Sequence, residues 1–415
     1  MKTRTPFRPL PRHLVIAALL PVLSATAADW NQWRGPNRDG IAADFKAPAT
    51  WTTSSLAKPW TVTVGEGHAS PVIVGDRVYL FAREGENEIL RCLATADGKV
   101  VWQQTYPVPY DMNPAARNHG KGPKATPTVA GGRVFTLGIN GHVSAYDAKA
   151  GTVLWRKDFA RDYKSTAPVF GASASPIVDG NNVIVHVGGD ASGALTAFDV
   201  ATGQVNWKWD GDGPAYASPI IATLGGVRQL ITQSQKHCFA VSPADGKLLW
   251  KIPFTTPYDQ NSVTPLVAGD LVIFGGIQKP TFAVKVSGKD AAPAWETREI
   301  TMYMSSPVLH GTTLYGMSDK QRGSLFAMNA TTGDVLWKSE GRLGENASLT
   351  DIGPALLVVT DKGELTVQQK TGDALKEVIK YKVADSPVWA APAVAGDQIF
   401  IKDKTALTLF KVVRG

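Results

Sequence analysis

Ala327-Met-Asn329-Ala-Thr-Thr-Gly333-Asp-Val-Leu-Trp337 ends in a glycine and a tryptophan four residues apart, and that ending recurs along the chain. Trp60, Trp102, Trp155, Trp207, Trp250, Trp295 and Trp337 follow one another at intervals of 42 to 53 residues. All but Trp60 and Trp295 close the pattern Gly-x-x-x-Trp. An eighth copy reads Gly372-Asp-Ala-Leu-Lys376, with lysine where the tryptophan is expected. A second marker has the same period: a small hydroxyl residue, proline and a β-branched run, at Pro71, Pro127, Pro176, Pro219, Pro265 and Pro307. Degenerate copies sit at Leu349 and Pro392. Repeats of this length mean an array of supersecondary units, here eight of them.

One unit, residues 175–210, shows what each contains. Ser-Pro-Ile-Val-Asp, Asn-Val-Ile-Val-His-Val-Gly, Gly-Ala-Leu-Thr-Ala-Phe-Asp and Gly-Gln-Val-Asn-Trp-Lys-Trp are four short β-rich runs parted by Gly, Asp and Asn turns. The pattern predicts a four-stranded antiparallel meander per unit, and so an all-β, eight-bladed β-propeller with very little helix. The last unit, from Ala391 to Val413, supplies only three strands, whereas Ala57 to Gly65 carries Trp60 without inner strands before it. The N-terminal strand is therefore expected to complete the C-terminal blade and close the ring, leaving no open seam. Each tryptophan is expected to start an outer strand and pack between neighbouring blades.

The N-terminus reads as an export signal. Lys2, Arg4, Arg8 and Arg12 precede an apolar stretch from Leu14 to Leu23 and a small-residue site at Ala25-Thr-Ala27. The stretch is too short to span a bilayer. No cysteine follows it for lipid anchoring, so the expected location is periplasmic or secreted. Cleavage after residue 27 removes four positive charges and lowers the net charge from +7 to +3. The expected organisation is a signal over 1–27, an N-terminal extension over 28–56 packing on the propeller with Trp30 and Trp33 against its exterior, and a propeller over 57–415. Only Cys92 and Cys238 are present. That excludes a disulfide framework, a cysteine-rich zinc site and a Cys-x-x-Cys-His haem attachment, and predicts two buried free thiols.

The combination Ala-Tyr-Asp147-x-x-x-Gly151-x-x-x-Trp155, repeated through Asp199 to Trp207 and Asn329 to Trp337, resembles the pyrroloquinoline quinone (PQQ) repeat over residues 57–415. That resemblance implies an eight-bladed propeller shared by quinoprotein dehydrogenases and by non-catalytic scaffolds such as BamB of the outer-membrane β-barrel assembly machinery. The dehydrogenases typically use an adjacent Cys-Cys disulfide, a catalytic Asp, and Glu and Asn ligands to calcium. No Cys-Cys pair occurs in this chain. The opening Trp30-Asn-Gln-Trp33-Arg-Gly-Pro-Asn-Arg-Asp-Gly40 looks like a leader that precedes such propellers in exported proteins.

Fold does not decide function, so candidate sites come from the loops. Counting back from each second marker gives His68, Lys124, Ser173, Tyr216, Ser262, Met304, Asn346 and Trp389, which are expected to ring the channel mouth. Donors and aromatics dominate that set, as in a ligand site. The longest unit carries an insertion, Tyr106 to Lys124, whose Arg117, His119 and Lys124 are candidates for an anion clamp or lid. Loops of the same face carry Lys236, Lys279, Lys320, Arg322, Lys362, Lys402 and Lys404, a basic surface for an acidic partner or an anionic ligand.

No histidine, aspartate and glutamate cluster has metal-ligand spacing, no serine sits in a nucleophile elbow, and the periodic aromatics do not suggest nucleic-acid binding. The expected function is that of an exported, monomeric binding or scaffold propeller without a cofactor, engaging a protein partner or a small anion. The alternative is a PQQ- and calcium-dependent oxidoreductase with the quinone over Trp389 or Tyr216, paired to Lys124 and Arg117. Its base would come from Glu66, Asp259, Glu345 or Asp351.

Overall fold

The computed structural model describes Met1 and residues 29–413; the export signal expected over 1–27 lies, but for Met1, outside the described residues. Eight four-stranded antiparallel sheets form the blades, seven of them continuous meanders. The eighth combines Ala393–Ala395, Gln398–Lys402 and Ala406–Val412 with the N-terminal strand Leu56–Thr63 on its outer edge. Leu56 pairs with Val412, Thr61 with Thr408 and Thr63 with Ala406, so the ring closes by hydrogen bonding as the two incomplete fragments require. Helix is confined to three 3-10 segments among the described residues.

The tryptophans explain the glycines. In blade after blade the third and fourth strands pair in register as far as the tryptophan and then slip: Ala145 faces Trp155 and Tyr146 faces Val153, as Ala197 faces Trp207 and Phe198 faces Val205. The ring then lies across the glycine of the following blade. A Cβ on Gly151 would stand 2.5 Å from Trp102, one on Gly203 2.6 Å from Trp155 and one on Gly246 2.4 Å from Trp207. The indole N–H donates to the carbonyl three residues before that glycine, from Trp102 to Ala148 (3.1 Å), from Trp155 to Val200 (3.2 Å) and from Trp207 to Pro243 (3.1 Å). Gly-x-x-x-Trp is thus two half-sites in most blades: the glycine receives the preceding blade's indole and the tryptophan reaches for the next, with Trp250, whose N–H donates to Gln229 Oε1 of its own blade (2.7 Å), as an exception.

Blade 7 departs from the expectation that Lys376 takes the tryptophan's place. Its outer hairpin is longer, pairing Thr371 with Ala374, and the slip falls after Val367 facing Ile379. By register, Ile379 is the equivalent residue. Nothing lies within 4 Å of a Cβ on Gly372, so Trp337 does not use that glycine as Trp60, Trp102, Trp155, Trp207 and Trp295 use theirs. This gives a paired test. Gly246→Ala combines a left-handed backbone (φ +71) with the indole contact and is expected to cost about 2–5 kcal/mol. Gly372→Ala, at φ +67 in open space, is expected to cost only about 1–2 kcal/mol. Equal losses in urea unfolding would reject the indole seat.

Four of the hydroxyls before the prolines, on Thr126, Ser175, Ser218 and Ser306, stitch neighbouring blades. Ser70 N–H donates to Thr126 Oγ1 (3.1 Å), Thr126 N–H to Ser175 Oγ (3.0 Å), Ser175 N–H to Ser218 Oγ (2.9 Å) and Thr264 N–H to Ser306 Oγ (3.0 Å). An inner-strand amide that has no partner within its own sheet is satisfied across the blade boundary. Cys92 and Cys238 are free and buried, as composition predicts.

The Trp-rich opening of the extension, from Trp30 to Gly40, is where the structure departs from the expectation. Trp30 and Trp33 do not lie on the exterior; Trp30 is 3% exposed and belongs to the core. The segment enters at the end of the ring that holds the first-to-second-strand turns, where Gly75 N–H donates to Asp29 Oδ1 (2.9 Å). It leaves at the same end, where Lys46 N–H donates to Gly396 O (2.8 Å). Between these points it fills the channel and bonds to every blade in turn. Trp30 exchanges backbone bonds with Ile73, and Asn31 accepts the Val129 N–H at its carbonyl while its side-chain Nδ2 donates to Val129 O. Arg38 donates to Ser175, Pro176 and Pro219 carbonyls, and Trp33 to Thr264 Oγ1 (2.9 Å). Arg34 donates to Pro307 O, and Gly40 and Ala42 clasp Asp351. Proline and glycine make this segment irregular, so its polar groups need partners, and the inner rims of the blades supply them.

Candidate functional site: the channel mouth

With one end of the channel filled, a cavity of about 160 Å³ remains above the plug, open toward the loops of the other end. All eight positions counted from the second marker line it: His68, Lys124, Ser173, Tyr216, Ser262, Met304, Asn346 and Trp389. The repeat brings them together because each sits at the same height on the loop entering an inner strand. His119 joins them from the insertion. His68 Nε2 lies 2.9 Å from the His119 carbonyl and pins this loop over blade 1. The His119 ring then packs edge-on against Trp389 (5.7 Å between centroids) and Phe170 (5.5 Å). Phe170 meets Tyr216 (5.9 Å), and Trp389 meets His68 (6.0 Å), so aromatic rings form a continuous half of the wall.

Arg117 is not among the lining residues. It lies exposed in the short 3-10 segment Pro114–His119, where its carbonyl accepts the Gly120 N–H, so the expected pairing of Arg117 with a channel ligand is not supported by its position. Arg34, Phe170, Tyr303 and Gln260 line the cavity without having been expected. Arg34 comes from the leader, and its presence in a glycine- and proline-bounded tryptophan-arginine motif was the one sequence signal that could have pointed inward.

Charge in the cavity is one-sided. Among the described residues no aspartate or glutamate lines it. Lys124 Nζ has one long contact, to Gly120 O at 3.4 Å, and burial pulls its pKa down to about 7. Burial, reinforced by the Lys124 charge, holds the His68 imidazole down at about 3, so it is neutral at physiological pH. At the floor, burial lowers Arg34 to about 10, partly opposed by Asp39, and lowers Arg38 beneath it to about 9; both remain guanidinium ions near neutrality.

The four carboxylates nominated as a base stand elsewhere. Asp351 is buried between Lys370 (2.6 Å) and His310 (2.9 Å), and Glu66, Asp259 and Glu345 do not line the cavity. Among the described residues no group of three or more His, Cys, Asp or Glu could hold a metal ion. The residues present therefore do not fit a PQQ and calcium centre, which needs carboxylate ligands and a carboxylate base beside the quinone.

Around the mouth, Lys236, Lys320, Arg322 and Lys362 are exposed and Lys279 is half-exposed. Lys279, Arg298 and Lys320 share a cleft with Asp319. Lys402 is not part of this surface. It is 0% exposed, and its ammonium donates to Gly67, Asp403 and Lys404 carbonyls, tying blade 8 to blade 1. Backbone strain gathers on the same face. Outside the leader's Arg34 and Arg38, the non-glycine residues with positive φ among those described are Ala191, Tyr258, Asp259, Gln278, Gln321, Arg322 and Arg342, all in its loops.

Comparison with known proteins narrows the field. Outer membrane protein assembly factor BamB of Shewanella oneidensis is 26% identical over 296 residues, spanning 66% of this chain and 72% of that protein. The Yersinia pestis factor of the same name is 22% identical over 370 residues, 85% of this chain and 87% of its own. The fold is also that of the quinohemoprotein alcohol dehydrogenase from Comamonas testosteroni, with a TM-score of 0.69 at 14% identity over 93% of this chain and 81% of that one. The family described as outer membrane protein assembly factor BamB matches residues 86–339, more than half of the chain. With its eight PQQ-type blades, the chain belongs to that family.

Proposed function

We propose that this protein is an exported, non-catalytic scaffold for outer membrane protein assembly, holding a protein partner on the loop face around its channel mouth. The observation that carries the reading is the division of charge at that face. Exposed lysines and arginines of blades 4 to 7 flank a cavity whose wall offers no carboxylate, a distribution that would favour an acidic partner surface and that supplies no carboxylate base for dehydrogenation. Family membership supports the same reading, and the basic loops come from consecutive blades 4 to 7, a span suited to a folded domain. No helix among the described residues is long and apolar enough to cross a membrane.

Removing the gene from its own cell is expected to lower the amount of folded β-barrel protein in the outer membrane, and the wild-type gene is expected to restore it. Lys279→Glu, Lys320→Glu and Lys362→Glu together should leave the thermal transition intact, since exposed charges contribute little to stability, yet fail to restore the barrels. Unchanged barrel levels on gene removal, or full rescue by the triple variant, would reject the proposal.

A further inference from the structure

The mouth cavity has features that a docking face for a folded protein does not need. It is recessed, its volume of about 160 Å³ matches the space that holds one benzene-sized ring, and half its wall is a belt of aromatic side chains. It also holds two basic side chains, Arg34, charged at neutral pH, and Lys124, charged below about pH 7. Among the described residues Lys124 approaches no carboxylate, and the sole acidic group acting on Arg34 is Asp39. Arg34 is 5% exposed, donates through Nη2 to the Pro307 and Asp39 carbonyls, and lines the cavity floor. A buried cation held by neutral carbonyls keeps its charge available to an incoming anion. Filling residues would need neither feature: small apolar side chains close a channel at lower cost than desolvated lysine and arginine.

We infer that the cavity is a ligand site for a single aromatic ring bearing one anionic group, the ring against Trp389, His119 and Phe170 and the anion between Lys124 and Arg34. Size favours a single ring at the recessed end, since about 160 Å³ is the space one ring fills. Charge sets the polarity, since no wall carboxylate is present to bind a cation. The inference rests on the cavity alone and not on the scaffold reading, so either can fail without the other.

The test is calorimetric titration of the purified full chain with benzoate, benzamide, acetate and N-acetylphenylalanine, with intrinsic tryptophan fluorescence as a second readout of Trp389. Benzoate is expected to bind at least about tenfold more tightly than benzamide, which keeps the ring and loses the charge, and than acetate, which keeps the charge and loses the ring. Lys124→Met and Trp389→Ala should each weaken benzoate at least about tenfold while retaining the wild-type thermal transition. The conservative Lys124→Arg and Trp389→Phe should recover part of the loss. N-acetylphenylalanine separates two sources of the same chemistry: tighter binding than benzoate assigns the site to the end of a polypeptide, weaker binding to a free acid. Equal affinity for benzoate and benzamide, no heat from benzoate at millimolar concentration, or preference for a three-ring quinone carboxylate would overturn the assignment.

Discussion

Arg38→Ala is expected to destabilise the propeller by about 3–5 kcal/mol, among the largest losses any single side chain outside the strands can cause. The guanidinium is 2% exposed and donates to carbonyls of blades 3 and 4 at once, from Ser175, Pro176 and Pro219. Removing it strands the Ser175 and Pro219 oxygens in a channel that the leader otherwise fills and leaves Pro176 O to the Thr128 hydroxyl alone (2.6 Å), and each unsatisfied buried acceptor costs about 1–3 kcal/mol. Relief of the guanidinium's own desolvation offsets part of that sum, which is why the expected loss is below the total. Arg38→Lys keeps the charge, but a single ammonium cannot match a planar fork set between two blades, so about half the loss should remain. Lys149→Ala, on an exposed turn, serves as the control and should lie within about 0.5 kcal/mol of wild type. Urea unfolding checks all three. A loss at Arg38 no larger than at Lys149 would show that the leader is a passenger in the channel and not a hub.

How much of this was legible in the sequence follows from where periodic information resides. Blade number, strand order, ring closure and the eight mouth positions are properties of the repeat, and each is reinforced eight times over, so a shift at one copy does not spoil the reading. Departures came where the repeat is broken. Blade 7 lengthens its outer hairpin, and counting from Gly372 lands on Lys376 where strand register selects Ile379. The leader is present once and has no period, so nothing in its spacing says whether Trp30 and Trp33 face out or in. Arg117 and His119 stand two residues apart on the same insertion, yet only His119 turns onto the cavity, because its carbonyl is held by His68. Lys402 shares its loop with the exposed Lys404 and looked like one more surface cation; three carbonyls that no local pattern reveals draw it inside.

Cross-linking the closure strand should have the opposite sign and a comparable size. Thr61 and Thr408 face each other across the seam, with their hydroxyl oxygens 3.1 Å apart, and are separated by almost the whole propeller in sequence. A disulfide between Thr61→Cys and Thr408→Cys would close a loop of nearly all eight blades, and loop-closure entropy puts the stabilisation at about 2–5 kcal/mol. The native thiols do not compete, because burial raises Cys92 to about 11 and Cys238 well above its ordinary range, leaving both as unreactive thiols. The gain should vanish on reduction, and the reduced variant should unfold near wild type. Removing the seam instead, by deleting residues 56–63 or ending the chain at residue 390, should abolish the cooperative transition, since blade 8 then exposes an unpaired strand edge or is lost and its neighbours lose their packing. A propeller that melts at an unchanged temperature after either truncation, or an oxidised variant no more stable than its reduced form, would mean that the ring is held by packing between adjacent blades and by the leader, and that its closure contributes nothing.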